Sequence, residues 1–381
     1  MGQNVLVIAG EVSGDHLGAQ IIQEWKKLPG KIPLFWGIAG EELQAEGVSS
    51  FAGIDDVATI GIWEGVKNYM RLKSLAQKIV QEARQNHTDY ALLVDFPGFN
   101  LAIAAMLHKA GIPCYQVVSP TIWLWNYKRI YKIKKYIQSV LCLYHFEAEI
   151  YHEKQIDAHF IGHPVIDKTL KAKKELPKTL KDFRQKSGLP EKKELSIALL
   201  PGSRKSEIDR HLQLILDTAA IIHNRHPNTR FYIPPATPAI SALLEKANLP
   251  QYITVTPTGK PEIPLSFCHV ALACSGTVTM ECALYEVPYL LFYKTSQLTY
   301  RIGKLILNTE YIGIVNIILK RNVAREFIQH EATPEAMAQE TEELLFNEKR
   351  RKNLADDFVD FKKELGKGGA AKRAAIFFAK L

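Results

Sequence analysis

Residues 4–15, Asn4-Val5-Leu6-Val7-Ile8-Ala9-Gly10-Glu11-Val12-Ser13-Gly14-Asp15, decide the fold. A short apolar run breaks at a tight polar turn and reopens as an amphipathic helix to about Lys27. The run does not alternate polar with apolar, so it predicts a strand buried on both faces, as in a parallel sheet. The unit recurs downstream. Leu34–Ile38, Ala91–Asp95, Pro113–Val118, Val140–Leu143 and His159–Ile161 read as further buried strands separated by helical stretches. The lysine-rich, proline-bounded stretch from Asp167 to Lys193 reads as a linker and flanking helix. The pattern then restarts at Leu195–Leu200, with strands near Arg230–Ile233, Ile253–Val255, Val270–Ala273 and Tyr289–Phe292. Thr333 followed by Pro334 is an N-cap with proline at the first helical position, and helices fill the remainder.

The expected fold class is therefore α/β, with two Rossmann-like, doubly wound parallel-sheet domains in tandem. Their bounds are 1–166 and 195–350, with 167–194 as connector and C-terminal helices over 351–381. In open sheets of this kind ligands bind beyond the carboxyl ends of the strands. With two such units facing each other, a central cleft is the expected site.

The chain has 381 residues, long for a single core. Its five cysteines form no C-x-x-C pair, which argues against zinc and dithiol chemistry and fits buried thiols in a reducing cytosol. Neither a signal peptide nor a membrane-spanning run is evident. The formal net charge is +8. Its local concentrations, 126–135 and the lysines from Lys168 to Lys181, suit polyanions such as anionic headgroups, sugar phosphates or nucleic acid. They suit solvated helix faces equally.

Several turns carry candidate chemistry. Gly10, Gly14 and Gly18 have four-residue spacing, not the G-x-G-x-x-G of a dinucleotide site, and Glu11 would repel a pyrophosphate. Ser13, Gly14 and Asp15 suit helix capping, substrate binding or both. Asp95 ends a buried strand, where a carboxylate can act as general base or merely cap the next turn. Pro201-Gly202-Ser203-Arg204 and Cys274-Ser275-Gly276-Thr277 each follow a strand and open a helix. Backbone N–H groups and Arg204 there suit a diphosphate, and Glu281, one turn on, suits ribose hydroxyls. Two such turns without a Walker lysine point to a nucleotide-diphosphate sugar. Over Ile60–Leu75, Ile62, Trp63, Val66, Tyr69, Met70 and Leu72 form an apolar surface beside Lys67, Arg71 and Lys73. That pattern suits a bilayer surface or a core-packing helix. The histidines show no metal-ligand spacing, and no metal or cofactor is expected.

Taken together these blocks resemble the lipid A disaccharide synthase family. The matching pieces are Ala9–Asp15, Asp95 with Pro97 and Phe99-Asn100, Val118-Ser119-Pro120 before Trp123-Leu124-Trp125, and Phe160–Pro164. They continue with Leu199–Arg204, Ser275-Gly276-Thr277 with Glu281, and Asn316. The resemblance implies a GT-B fold and an inverting, metal-independent hexosyltransferase of lipopolysaccharide synthesis in Gram-negative bacteria. UDP-2,3-diacylglucosamine would be the donor and 2,3-diacylglucosamine 1-phosphate (lipid X) the acceptor; the β-1′,6-linked disaccharide 1-phosphate and UDP would be the products. It makes Asp95 the base with Glu11 nearby. Gly202, Ser203, Arg204, Ser275, Gly276, Thr277, Glu281 and Asn316 would hold the donor, and Ser13, Gly14, Asp15 and Asn100 the acceptor. It also implies peripheral contact with the anionic inner membrane, no nucleic acid, and C-terminal helices that return to the N-terminal domain and can be exchanged in a homodimer. Asn126, Val315 and Gly98 depart from the family pattern and bear on acyl or headgroup preference. Two rival readings remain at this level: a UDP-N-acetylglucosamine 2-epimerase-like enzyme, and a non-catalytic binder of membrane surfaces or nucleic acid.

Overall fold

The computed structural model describes residues 2–58, 65–187, 194–306 and 309–381. Side chains at 55, 58, 65–69, 179, 184, 186, 187, 298, 302 and 305 are excepted. The chain forms two compact units, Met1–Pro164 with Leu365–Leu381, and Val165–Glu364.

In the first unit β1 (Asn4–Ala9), α1 (Val12–Trp25), β2 (Leu34–Ile38), α2 (Glu41–Ala45), β3 (Ser49–Ala52), α3 (Asp55–Ala58) and α4 (Gly65–Gln85) lead to β4 (Tyr90–Val94). Then follow α5 (Pro97–Lys109), β5 (Cys114–Val117), α6 (Arg129–Tyr136), β6 (Ser139–Cys142), α7 (His145–His152) and β7 (Ala158–Phe160). The strands are parallel, in the order β3-β2-β1-β4-β5-β6-β7. Val5 to Ala9 are buried without interruption, as a strand covered on both faces requires. One face packs Leu6, Ile8, Leu93 and Ile103 in its core, the other Val5, Val7, Ile21 and Leu92.

The second unit contains α8 (Pro164–Ser187), whose first residue closes the first unit, then β8 (Leu195–Leu200), α9 (Lys205–Arg225), β9 (Thr229–Ile233), α10 (Pro238–Lys246), β10 (Ile253–Val255) and α11 (Glu262–Leu265). It continues with β11 (Val270–Cys274), α12 (Thr277–Leu284), β12 (Tyr289–Tyr293), α13 (Gln297–Ile306), α14 (Ile314–Leu319), β13 (Glu326–Ile328), α15 (Pro334–Phe346) and α16 (Glu348–Leu365). Its parallel sheet runs β10-β9-β8-β11-β12-β13. Thr333 caps α15 as its sequence predicts, its Oγ1 accepting from Ala336 N at 3.2 Å.

The connector read from 167 to 194 is largely one helix, α8, with Pro177 inside it. α16 packs within the second unit, Phe358 stacking on Tyr289 at 6.0 Å. The chain re-enters the first unit at Leu365, later than the expected 351. The return is made by α17 (Ala370–Phe378), whose Phe378 stacks on Trp25 at 5.9 Å. Arg373 Nε donates to Ile161 O at 2.7 Å, so the Phe160–Pro164 block anchors this terminal helix. β3 and β13 are strands that hydropathy does not announce.

Candidate functional site

In the first unit the strand order reverses direction between β1 and β4, and the turns after both strands carry the candidate residues. Asp95 follows β4 with φ 54°, and Phe96 follows at 46°. Two consecutive non-glycine residues thus occupy the left-handed region, an uncommon and strained arrangement. Asp95 is half-buried. Its Oδ2 accepts from Ser13 Oγ at 2.9 Å and its Oδ1 from Phe96 N at 2.9 Å. Gly14 permits this approach: a Cβ there would stand 3.0 Å from Val94 O and 3.4 Å from Asp95 Cβ. Glu11 is exposed at the N-cap of α1, two residues before Ser13.

Two residues expected to face the acceptor are otherwise engaged. Asp15 is buried, and its carboxylate accepts from the backbone N–H groups of Gly40, Glu42 and Leu43 at 2.8, 3.0 and 3.3 Å. It therefore caps α2, a neighbouring helix, with both oxygens spent on backbone. Asn100 is fully buried, and its Nδ2 donates to Asp95 O at 2.6 Å. It supports the Asp95 turn from beneath rather than presenting an amide to a ligand.

The apolar surface proposed for membrane contact is divided. Ile62 and Trp63 lie outside the described residues, as do the side chains of Val66 and Tyr69. Met70 is 61% exposed. Leu72 is partly buried and packs against the core. No described helix is long and apolar enough to cross a membrane.

In the second unit a cavity of about 450 Å³ lies beyond the carboxyl ends of β8, β9, β10 and β11. It is lined by both predicted turns, Gly202 to Arg204 and Ser275 to Thr277, together with Glu281, Lys168, Glu207 and Pro234. Its size lies within the ordinary range of small-molecule pockets. Arg204 reaches outward, with 81% of its side chain exposed. Glu281 is 6% exposed and pairs with Lys168 Nζ at 2.5 Å. Ser275 Oγ donates to Ile312 O at 3.3 Å, tying its turn to the next loop. The start of α12, from Ser275 to Val278, lines the cavity and directs the positive end of the helix dipole at it.

The turn at Gly202 differs from the expected phosphate cradle. Glu207 Oε2 accepts from Ser203 N at 2.8 Å and Arg204 N at 3.1 Å, so a carboxylate already occupies the start of α9. Gly202 has φ 123°, and a Cβ on it would meet Glu207 Oε2 at 2.5 Å. Those two backbone N–H groups are thus taken, and the cation this turn contributes to the cavity wall is the Arg204 side chain. Asn316, expected to hold UDP, is also engaged by the protein itself. It is buried, and its Nδ2 donates to Ala324 O at 2.7 Å and Glu326 Oε1 at 2.9 Å. Its Oδ1 accepts from Val323 N and Ala324 N at 3.0 Å. Saturated in this way, it folds the loop before β13 and has no donor left for UDP.

Sequence reasoning missed Glu207, His211, Gln116 and Glu147. His211 is buried beneath the Pro201 turn. Its Nδ1 lies 2.8 Å from Pro201 O, and its Nε2 lies 3.0 Å from Lys294 N and 3.1 Å from Lys294 O, so the ring ties the Pro201 turn to the end of β12. Burial lowers its pKa, against the two backbone carbonyl contacts, which raise it. Glu147, on α7, accepts from Trp123 Nε1 at 3.0 Å and Tyr144 N at 3.3 Å. Burial pushes its carboxyl up to about 7. The one available signal for Glu207 was its place three residues after Arg204, the capping-box spacing. Gln116 stood out only as a polar residue inside an apolar strand. Among the described residues no three His, Cys, Asp or Glu side chains converge as possible metal ligands.

The profile of a family described as lipid-A-disaccharide synthetase matches residues 5–379. The lipid-A-disaccharide synthase of Coxiella burnetii (strain Dugway 5J108-111) is 33% identical over 382 residues, covering 98% of this chain and 97% of the relative. Among solved structures, a UDP-GlcNAc 2-epimerase from Neisseria meningitidis bound to UDP-GlcNAc superposes with a TM-score of 0.65 at 12% identity, covering all of both chains. Acinetobacter baumannii MurG superposes with a TM-score of 0.57 at 11% identity, again over all of both chains. At those identities the likeness is one of fold, and that fold is GT-B.

Proposed function

The chain belongs to the lipid-A-disaccharide synthetase family, and from that premise we propose how its residues divide a hexosyl transfer. The reaction is condensation of UDP-2,3-diacylglucosamine with 2,3-diacylglucosamine 1-phosphate, giving the β-1′,6-linked disaccharide 1-phosphate and UDP. Asp95 takes the proton of the acceptor 6-hydroxyl as that oxygen attacks C1 of the donor sugar. The C1–O bond to the diphosphate breaks, UDP leaves with the electron pair, and the anomeric centre inverts. Ser13 orients the Asp95 carboxylate, and the exposed Glu11 is a second acid beside it.

The second unit's cavity takes the donor. Arg204 and the first turn of α12, at Ser275, Gly276 and Thr277, face the charge that develops on the departing diphosphate. Glu281 takes the ribose hydroxyls. Protein groups alone supply this stabilisation in the proposed mechanism, so the transfer needs no metal ion. The acyl chains bring the protein to the cytoplasmic face of the inner membrane, with Met70 among the contacting side chains. Exchange of the terminal helix between two chains would make a homodimer.

One observation carries the assignment of the base: Ser13 and Asp95 meet at 2.9 Å in a chain that its family matches almost from end to end. An epimerase reading is not favoured, because the epimerase likeness is confined to the fold at 12% identity. The test is UDP release from UDP-2,3-diacylglucosamine, with and without 2,3-diacylglucosamine 1-phosphate, in detergent containing EDTA. Release that requires the acceptor and survives chelation is expected. Release without acceptor, or release abolished by chelation, would overturn the acceptor-dependent or the metal-independent part respectively.

A further inference from the structure

Three residues around the end of the first unit's sheet hold left-handed backbone that their side chains disfavour. Asp95 has φ 54°, Phe96 46° and Val118 70°. For Val118 the conformation is especially unfavourable, because a β-branched side chain crowds it. Such strain persists only where surrounding contacts over-determine it. Here both turns share one partner. Gln116, in β5, is fully buried, and its Nε2 lies 3.3 Å from Asp95 O, 3.2 Å from Val117 O and 3.1 Å from Val118 O.

Three carbonyl oxygens around one carboxamide nitrogen also decide the amide's orientation. Reversed, the Gln116 carbonyl would face three other carbonyls with no hydrogen between them. Its own Oε1 is buried without a hydrogen-bond partner, so the side chain gives up one acceptor to make these donations. Asn100 is built the same way, with Nδ2 on Asp95 O at 2.6 Å and a buried, unpartnered Oδ1. Two buried amides therefore converge on the carbonyl of the residue assigned as base. Only Gln116 also reaches the turn after β5.

We propose that Gln116 is a positioning residue for the transfer: its carboxamide clamps the turn after β4 to the turn after β5 and thereby holds Asp95 in its left-handed conformation. The inference rests on the reading of Asp95 as base. Without the clamp Asn100 alone holds the Asp95 carbonyl, the Asp95 turn loosens from the turn after β5, and the carboxylate shifts from Ser13. The donor cavity, built wholly from the second unit, is untouched.

The test compares Gln116→Met, which keeps the volume but donates nothing, with Gln116→Glu, which donates only while protonated. Asp95→Asn serves as reference, and all are assayed for UDP release at saturating substrates. For Gln116→Met, kcat should fall on the order of 100-fold, as for a misplaced catalytic group, while donor KM and UDP affinity stay at wild-type values. Gln116→Glu should retain more activity, and its rate relative to wild type should decline as pH rises and the buried carboxyl ionises. A UDP-binding Gln116→Met protein that turns over at the wild-type rate overturns the proposal. So does a Gln116→Glu ratio that does not change with pH, which also decides the matter if Gln116→Met fails to fold. Wild-type turnover by Asp95→Asn would instead overturn the base reading itself, a result distinct from active Gln116 variants beside an inactive Asp95→Asn.

Discussion

Ser13 Oγ donates to Asp95 Oδ2 at 2.9 Å, joining two turns 82 residues apart in the chain. Each turn alone reads equally well as a helix cap. Together they present a carboxylate with one oxygen bound to a neighbouring hydroxyl and the other to the N–H of Phe96, an orientation set by two directions.

Replacing Asp95 by Asn should lower turnover by at least about 10²-fold, the contribution general base catalysis commonly makes. Ser13→Ala should lose about 1.5 kcal/mol, near tenfold in kcat, because a hydroxyl-to-carboxylate bond disappears while the base remains. Acceptor-dependent UDP release measures both. A Ser13→Ala enzyme as fast as wild type would remove Ser13 from the orienting role.

Arg204→Ala should weaken UDP binding about tenfold at low ionic strength. Because the Arg204 side chain is 81% exposed, that difference should shrink as salt is added. Titration calorimetry at two salt concentrations checks it. A salt-independent difference would mean that the guanidinium acts through packing.

Asp15→Ala should cost about 1–2 kcal/mol of stability by uncapping α2, while kcat of the folded protein holds. Denaturant unfolding monitored beside UDP release separates the two effects. Lost turnover at unchanged stability would return Asp15 to the acceptor site.

The pH dependence of stability should report Glu147. Its folded-state carboxyl is raised to about 7 from the ordinary 4.5, chiefly by burial. The folded protein therefore holds a proton that the unfolded chain releases between those values. This contribution is complete below about 4.5 and is lost as pH rises through about 7, on the order of 3 kcal/mol in all. Glu147→Gln should flatten that slope in denaturant titrations from pH 4.5 to 7.5. An unchanged slope would assign the dependence to another group.

Met70→Ser should reduce sedimentation with anionic phospholipid vesicles at an unchanged Tm, since Met70 is exposed. Leu72→Ser should lower Tm, because Leu72 packs against the core. Equal vesicle binding by wild type and Met70→Ser would take Met70 off the membrane surface.

Local chemistry in the sequence was enough to determine the two parallel sheets, their tandem order, the turns that carry Ser13, Asp95, Arg204 and Ser275, and the helix that carries Glu281. A strand buried on both faces must be a continuous apolar run, and a turn opening a helix needs small or polar residues wherever it occurs. β3 escaped this reading because Ser49–Ala52 lies at the sheet edge and is mostly exposed, and β13 because its three residues open on the charged Glu326 and fully bury only Phe327. Neither carries enough buried side chain to leave a pattern, so pairing with a neighbouring strand decided both. The uses of Asp15, Asn100, Asn316 and Glu207 were likewise decided only by tertiary structure. A carboxylate or carboxamide caps backbone N–H groups as readily as it binds a ligand. Asp15 spends its oxygens on residues 25 to 28 positions away, which no local window contains. The same limit hid Gln116, whose reach to Asp95 exists because β4 and β5 lie side by side. Composition and spacing determine which groups are present; the packing of distant segments determines which of them are left free to act.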